Sequence, residues 1–235
     1  MIRFSVLGLL TLLLMVAGLQ AQAETKGPHK TIEQATVSLV DVIVAAKGYY
    51  EQDPDRYYHE IEQLVEPLID FPTFARSVMG PYGTRDYYIS LKTPEAREVF
   101  KQQYSQFVET FKQGLINTYG KGLLAFNGQT IAVQPPTEED QQLIAQGESV
   151  NVVQKIQGAN ETYTITYKMR PDKDGSWLVR NVTIESINVG LLYRNQFVAS
   201  MNKYSGDLEK VVGNWLQDAK DAESQNQLQA SSVQK

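Results

Sequence analysis

Few side chains in this sequence are equipped for catalysis. Imidazole, the usual proton shuttle and metal ligand, occurs only at His29 and His59. His59 sits between Tyr58 and Glu60 with no second histidine within helical reach, so a histidine-based metal site lacks its partner and a solvated edge histidine is expected. Cysteine is absent, which excludes disulfides, thiolate nucleophiles and cysteine-ligated zinc or iron–sulfur centres. Glu138, Glu139 and Asp140 follow Pro135 and Pro136 but lack the alternating ligands and turn glycine of a calcium loop, and read as solvated charge in a loop. Gly120 and Gly122 lack the spacing and the lysine–hydroxyl pair of a phosphate-cradling loop. Without a nucleophile–base pair or a ligand set, the chemistry on offer is that of apolar surface.

Composition narrows the partners. The chain has 22 basic and 27 acidic residues, a net charge of −5, and no Lys/Arg cluster in sequence, which disfavours nucleic acid and tight electrostatic docking on anionic membranes. Arg3 precedes an apolar run from Phe4 to Leu19 that closes on Ala21, Gln22 and Ala23. That is the three-part pattern of a cleavable secretory signal peptide, 1–23, and the run is shorter than the roughly 20 residues a membrane span needs. Residues 24–30 read as a flexible lead-in and 221–235, rich in Gln, Ser and Ala, as a disordered tail. One domain, 31–220, is expected between them, held by its hydrophobic core alone.

The elements that frame any site follow from periodicity. Ile32, Ala35, Leu39, Ile43, Ala46 and Tyr50 keep helical spacing. Asp53 and Pro54 form an N-cap and first-turn pair opening a second helix with Tyr57, Ile61, Leu64, Val65 and Leu68 on one face, ended near Pro67. A short helix from Pro72 to Met79 stops at Gly80 and Pro81, and Thr93–Pro94 opens a long helix to about Tyr119. The period then changes to that of strands over Leu123–Val133, Glu148–Gln157, Glu161–Arg170 and Ser176–Ile187. In the third, Tyr163, Ile165, Tyr167 and Met169 alternate with Thr162, Thr164, Thr166 and Lys168, one apolar face and one wet face. Helices over 190–204 and 207–220 close the domain. The expected fold is α+β, a helical layer on one face of a four-stranded antiparallel sheet.

The long helix brings Phe100, Tyr104, Phe107, Phe111 and Tyr119 toward that sheet. Such a stripe makes either a plain core or the wall of an apolar ligand cavity, and pattern alone leaves both open.

Several segments together tip the balance. Asp174, Gly175, Ser176, Trp177, Leu178 and Val179, then Val182, Ile184 and Glu185, lead into Tyr193, Arg194, Asn195, Gln196 and Phe197, and on to Gly206, Asp207 and Leu208. Upstream lie Ile69, Asp70, Phe71, Ala75, Arg76, Met79 and Gly80, then Phe100, Phe107, Thr118 and Tyr119. Over most of its length the chain resembles the periplasmic phospholipid-binding carriers of the Mla (maintenance of lipid asymmetry) pathway, the toluene-tolerance auxiliary family. It departs from them in carrying no tryptophan over 82–88 and in having Asn188 where the family often has serine.

The resemblance implies a soluble periplasmic monomer, without catalytic chemistry or cofactor, whose interior takes phospholipid acyl tails as cargo. Its implied partners are an inner-membrane ABC transporter complex with a substrate-binding ring and an outer-membrane lipoprotein–porin complex. The lining then expected is Phe71, Phe74, Met79, Phe107, Phe111, Leu115, Val150, Val152, Tyr163, Ile165, Tyr167, Leu192 and Phe197, with Arg194 either at the headgroup or paired with a carboxylate to fix its helix. Two other classes fit the pattern less well. An enzyme on a cone-shaped α+β domain needs inward acids that the strands offer sparingly, and a chaperone for apolar segments needs an open groove.

Overall fold

The computed structural model describes residues 27–159 and 161–218. The expected signal peptide, residues 24–26 of the lead-in and the tail lie outside the described residues. Among the described residues no helix is long and apolar enough to cross a membrane.

Helix α1 (Pro28–Ala46) starts with proline at its first turn, so residues 28–30, expected to precede the domain, are its first turn, and His29 is buried. The Asp53 carboxylate accepts from Arg56 N at 3.1 Å and starts α2 (Pro54–Val65). Asp70 accepts from Thr73 N at 3.0 Å and starts α3 (Phe71–Val78). A 3-10 turn (Gly80–Gly83) and α4 (Arg85–Ser90) follow. Thr93 caps α5 (Pro94–Leu123), which runs four residues beyond the expected end. Gly120 is there for packing rather than termination: its carbonyl accepts from the Tyr57 hydroxyl at 2.8 Å, and a Cβ on it would sit 3.1 Å from the Tyr58 ring.

Two further expectations are corrected. Residues 138–140 open a helix, α6 (Glu138–Ala145), because Thr137 and Asp140 form a capping box in which each side chain accepts from the other's backbone N–H. The sheet has five strands rather than four, in the order β1 (Thr130–Val133), β2 (Val150–Gln157), β3 (Thr162–Pro171), β4 (Trp177–Ile184), β5 (Ile187–Asn188), all antiparallel. The fifth comes from a tight reversal through Glu185, at φ 55°, which folds Ile187 back onto Ile184. Asn188 then caps α7 (Val189–Lys203). Residues 208–218 form the last helix, α8.

Helices cover one face of the sheet, and the register puts Val152 opposite Tyr167 and Gln154 opposite Ile165 on that face. A bulge between Lys168 and Met169 shifts the β3–β4 pairing. Next to it Val179 pairs with the α2–α3 elbow, donating to Leu68 O at 2.9 Å and accepting from Asp70 N at 2.9 Å.

Three clusters make the core. The largest lies among the helices, where Phe107 meets Phe197 at 4.9 Å and Trp215 at 5.1 Å, and Phe111 meets Phe74 at 5.2 Å and Tyr193 at 5.6 Å, by ring centroids. A second joins the foot of α1 to β2, β3 and β4 through Ile32, Val150, Val152, Met169, Trp177 and Val179. The third joins α1, α2 and α5 through Ala46, Tyr57, Ile61 and Ile116.

One buried cation ties α5 to α2. The Lys112 ammonium lies 2.7 Å from Glu62, 3.1 Å from Glu109 and 3.3 Å from Glu66. Burial pulls its pKa down, but hydrogen bonds to Glu62, Glu109 and Glu66 outweigh this and hold it above the usual 10.5. The same bond is the main reason that Glu62 is lowered from 4.5. The stability from Lys112 is therefore complete below pH 10.5 and lost as pH rises through its raised value. That from Glu62 is complete above pH 4.5 and lost as pH falls through its lowered value. Lys112→Met is expected to cost roughly 2 kcal/mol at pH 7, less than a fully buried pair because Glu66 and Glu109 stay hydrated. In a series of thermal melts the variant is expected to lose part of the fall in stability below pH 4.5.

Candidate binding cavity

Between the second and third clusters the packing stops short. A cavity of about 340 Å³ lies there, walled by Ile32, Ala35, Thr36, Leu39, Val40 and Ile43 of α1 and by Leu64, Val65, Leu68 and Ile69 at the end of α2 and its elbow. Gly122, Leu123, Ala125, Phe126 and Gln129 close it at the end of α5, and Ile131, Gln154, Ile156, Ile165, Tyr167, Val179 and Val182 form its floor on the sheet. Among the described residues no acidic, basic or imidazole side chain faces it. The volume falls within the roughly 300–1,000 Å³ of ligand pockets.

The sequence explains why this gap exists. Helix α1 is apolar over more than one stripe, with Ile32 and Ile43 inward and Val37 and Val44 exposed. It spans the sheet as a single roof rather than settling into it. The elbow at 66–70, held off by its pairing to Val179, keeps α2 from closing the space.

Three polar side chains on the wall are linked to one another. The Tyr167 hydroxyl donates to Gln154 Oε1 at 2.9 Å, Gln154 Nε2 donates to Thr36 Oγ1 at 2.6 Å, and Thr36 Oγ1 donates to Ile32 O at 2.7 Å. This thread stitches α1 to the sheet across the cavity and leaves its lumen apolar. Burial pushes the Tyr167 phenol well above its usual range, so it stays protonated as a donor. Among the described residues no group of three or more His, Asp or Glu side chains is placed to hold a metal ion.

Of the residues singled out from the sequence, the structure brings Ile165 and Tyr167 to this cavity. Phe71, Phe74, Met79, Phe107, Phe111, Leu115 and Phe197 pack against one another in the helical cluster, and Val150 and Val152 in the cluster under the foot of α1. Tyr163 is 47 % exposed near the strand end. Leu192, half-buried on α7, is not part of the wall. Among the described residues Arg194 meets neither a carboxylate nor the cavity: its Nε donates to Ser77 O at 2.9 Å and its terminal nitrogen to Ser77 Oγ at 3.0 Å, which pins α7 to the end of α3. The roof residues of α1 went unassigned by sequence reasoning. Their signal was an apolar surface wider than one-sided packing requires.

Comparison with known proteins adds to this geometry. The MlaC protein family profile matches residues 33–217. A toluene tolerance protein, ttg2D of Pseudomonas putida, is 32 % identical over 209 residues, covering 88 % of this chain and 87 % of that one. A phospholipid-binding protein of Ralstonia solanacearum, solved in complex with a phospholipid, superposes with a TM-score of 0.64 at 22 % identity, over 82 % of this chain and 97 % of the other, a likeness of fold.

Proposed function

The chain belongs to the MlaC family, and from that premise we propose that it is a phospholipid carrier whose cavity holds acyl tails while the headgroup stays near solvent. The observation that carries the proposal is the cavity itself, uncharged, walled by aliphatic side chains from α1, α2, the end of α5 and the sheet, with Tyr167, Gln154 and Thr36 bonded to one another. The Ralstonia protein of the same fold was solved in complex with a phospholipid. A carrier has a clear physical task. An acyl chain of about 16 carbons is disfavoured in water by roughly 12 kcal/mol at about 0.8 kcal/mol per methylene, so a lipid crossing an aqueous gap needs a protein-lined apolar space.

In this reading residues 1–23 direct the protein to the periplasm, where it moves lipid between an outer-membrane lipoprotein–porin complex and an inner-membrane ABC transporter complex. Ile165 and Tyr167, with Leu39 and Ile43 opposite, contact the tails, and no reaction is catalysed. The test is transfer of a fluorescent phospholipid between donor and acceptor vesicles. The protein is expected to accelerate transfer in proportion to its concentration. Ala35→Trp, which places an indole in the lumen, is expected to reduce that acceleration at least tenfold. No acceleration by the unaltered protein, or full activity of the variant, contradicts the proposal.

A further inference from the structure

A second cavity, of about 370 Å³, shares no wall residue with the first and has the opposite chemistry. Its walls carry three cations, Arg76 of α3, Arg85 of α4 and Lys101 of α5, and three rings, Tyr88, Phe100 and Tyr104. Among the described residues no carboxylate lines it, in a chain whose net charge is −5. Arg76 is held in place. The Arg76 guanidinium lies over the Tyr104 ring, 5.3 Å from its centroid, and that ring is anchored by the Tyr104 hydroxyl donating to Pro72 O at 2.7 Å. Behind Arg76 the 3-10 turn approaches so closely that a Cβ on Gly83 would stand 2.2 Å from the Arg76 carbonyl oxygen, which brings the start of α4, and with it Arg85, beside Arg76.

These cations are little neutralised. Among the described residues neither Arg76 nor Arg85 forms an ion pair. Lys101 meets Glu98 at 3.2 Å in an exposed pair one turn away, an interaction worth little in water. Three positive charges on one concave wall raise the local potential for an anion, although water hydrates each exposed side chain. Guanidinium groups match phosphate oxygens in geometry and charge, and rings beside them suit the boundary between headgroup and acyl chain.

We infer that this cleft is a phosphate-binding site, with Arg76 and Arg85 holding the phosphate oxygens and Lys101 adding charge. The phosphate is that of a lipid head at a bilayer surface or of a free phosphate ester. Ile89, next to Tyr88 on α4 and 54 % exposed, adds an apolar contact of the kind a bilayer accepts. The inference stands apart from the lipid cavity, since none of these residues lines it.

The test measures binding of the purified protein to vesicles of phosphatidylglycerol and of phosphatidylcholine by co-sedimentation, and to inorganic phosphate and glycerol phosphate by calorimetry. The double variant Arg85→Gln/Lys101→Gln changes two exposed side chains, and Arg85→Gln alone serves as the milder control of folding. At about fivefold per cation, the double variant is expected to weaken binding roughly 25-fold. Loss on phosphatidylglycerol vesicles identifies a bilayer headgroup, and loss on the soluble phosphates identifies a free ester. Lipid co-purifying in the first cavity is expected to be unchanged in every variant, so the two sites succeed or fail separately. Binding to none of these probes, or binding that the double variant leaves unaltered, overturns the inference.

Discussion

With aspartate in place of Ile165 the protein is expected to fold and to carry no lipid. Ile165 lies on the floor of the cavity, between Gln154 on β2 and Ile184 on β4 in the register of the sheet. While the lumen is empty, water can hydrate a carboxylate there, and the helical cluster that contributes most of the core is untouched. Once acyl tails enter, that water must leave and the charge has no partner on the wall. An unpaired buried charge costs several kcal/mol, so lipid affinity is expected to fall by roughly a hundredfold or more. Extracted lipid phosphorus per mole of protein, read with the far-ultraviolet circular dichroism of the same sample, checks both halves. Lipid retained at the unaltered level would remove Ile165 from the binding wall.

Phe111→Ala is expected to do the reverse. The ring is fully buried and packs on Phe74, Tyr193 and Phe107, with centroids 5.2, 5.6 and 5.9 Å away. Helices surround it on every side that these contacts define, so its removal opens a void inside the frame rather than enlarging the cavity. Loss of a buried phenylalanine costs about 3–5 kcal/mol, a large share of the ordinary 5–15 kcal/mol of a domain. The urea midpoint is expected to drop while lipid bound per folded molecule stays level. A variant of normal stability that has lost its lipid would place the aromatic stripe of α5 against the ligand instead.

These two residues show what the sequence could and could not reveal. Ile165 belongs to a strand whose alternation is strict, and alternation fixes which face a side chain takes. That face is the covered one, as the pairing of Tyr167 with Val152 and Val182 shows. Phe111 belongs to a helix whose aromatic stripe was equally plain, but a helical stripe says only that a surface is buried, not against what. Here its partners come from α3, α7 and α8, far along the chain, through Phe74, Tyr193 and Trp215. The caps at Asp53 and Thr93 were legible because a cap is local chemistry. The end of the long helix, expected at about Tyr119, was placed early for the same reason: the change of period there is local, while Gly120 serves the approach of Tyr57 and Tyr58 from another helix. The cavity is a place where atoms are missing, and its position depends on how far α1 stands from the sheet. The Thr36–Gln154 bond and the elbow at Ile69–Val179 set that distance, and neither is visible in a periodicity.

If the protein is a carrier, phospholipid sits between α1 and the sheet. Native mass spectrometry of protein purified from a Gram-negative periplasm, followed by solvent extraction and lipid identification, tests it most directly. A near-stoichiometric phospholipid adduct, whose mass counts the acyl chains, is expected in the unaltered protein and absent from Ile165→Asp. A lipid-free mass, persisting after incubation with phospholipid vesicles, would contradict it.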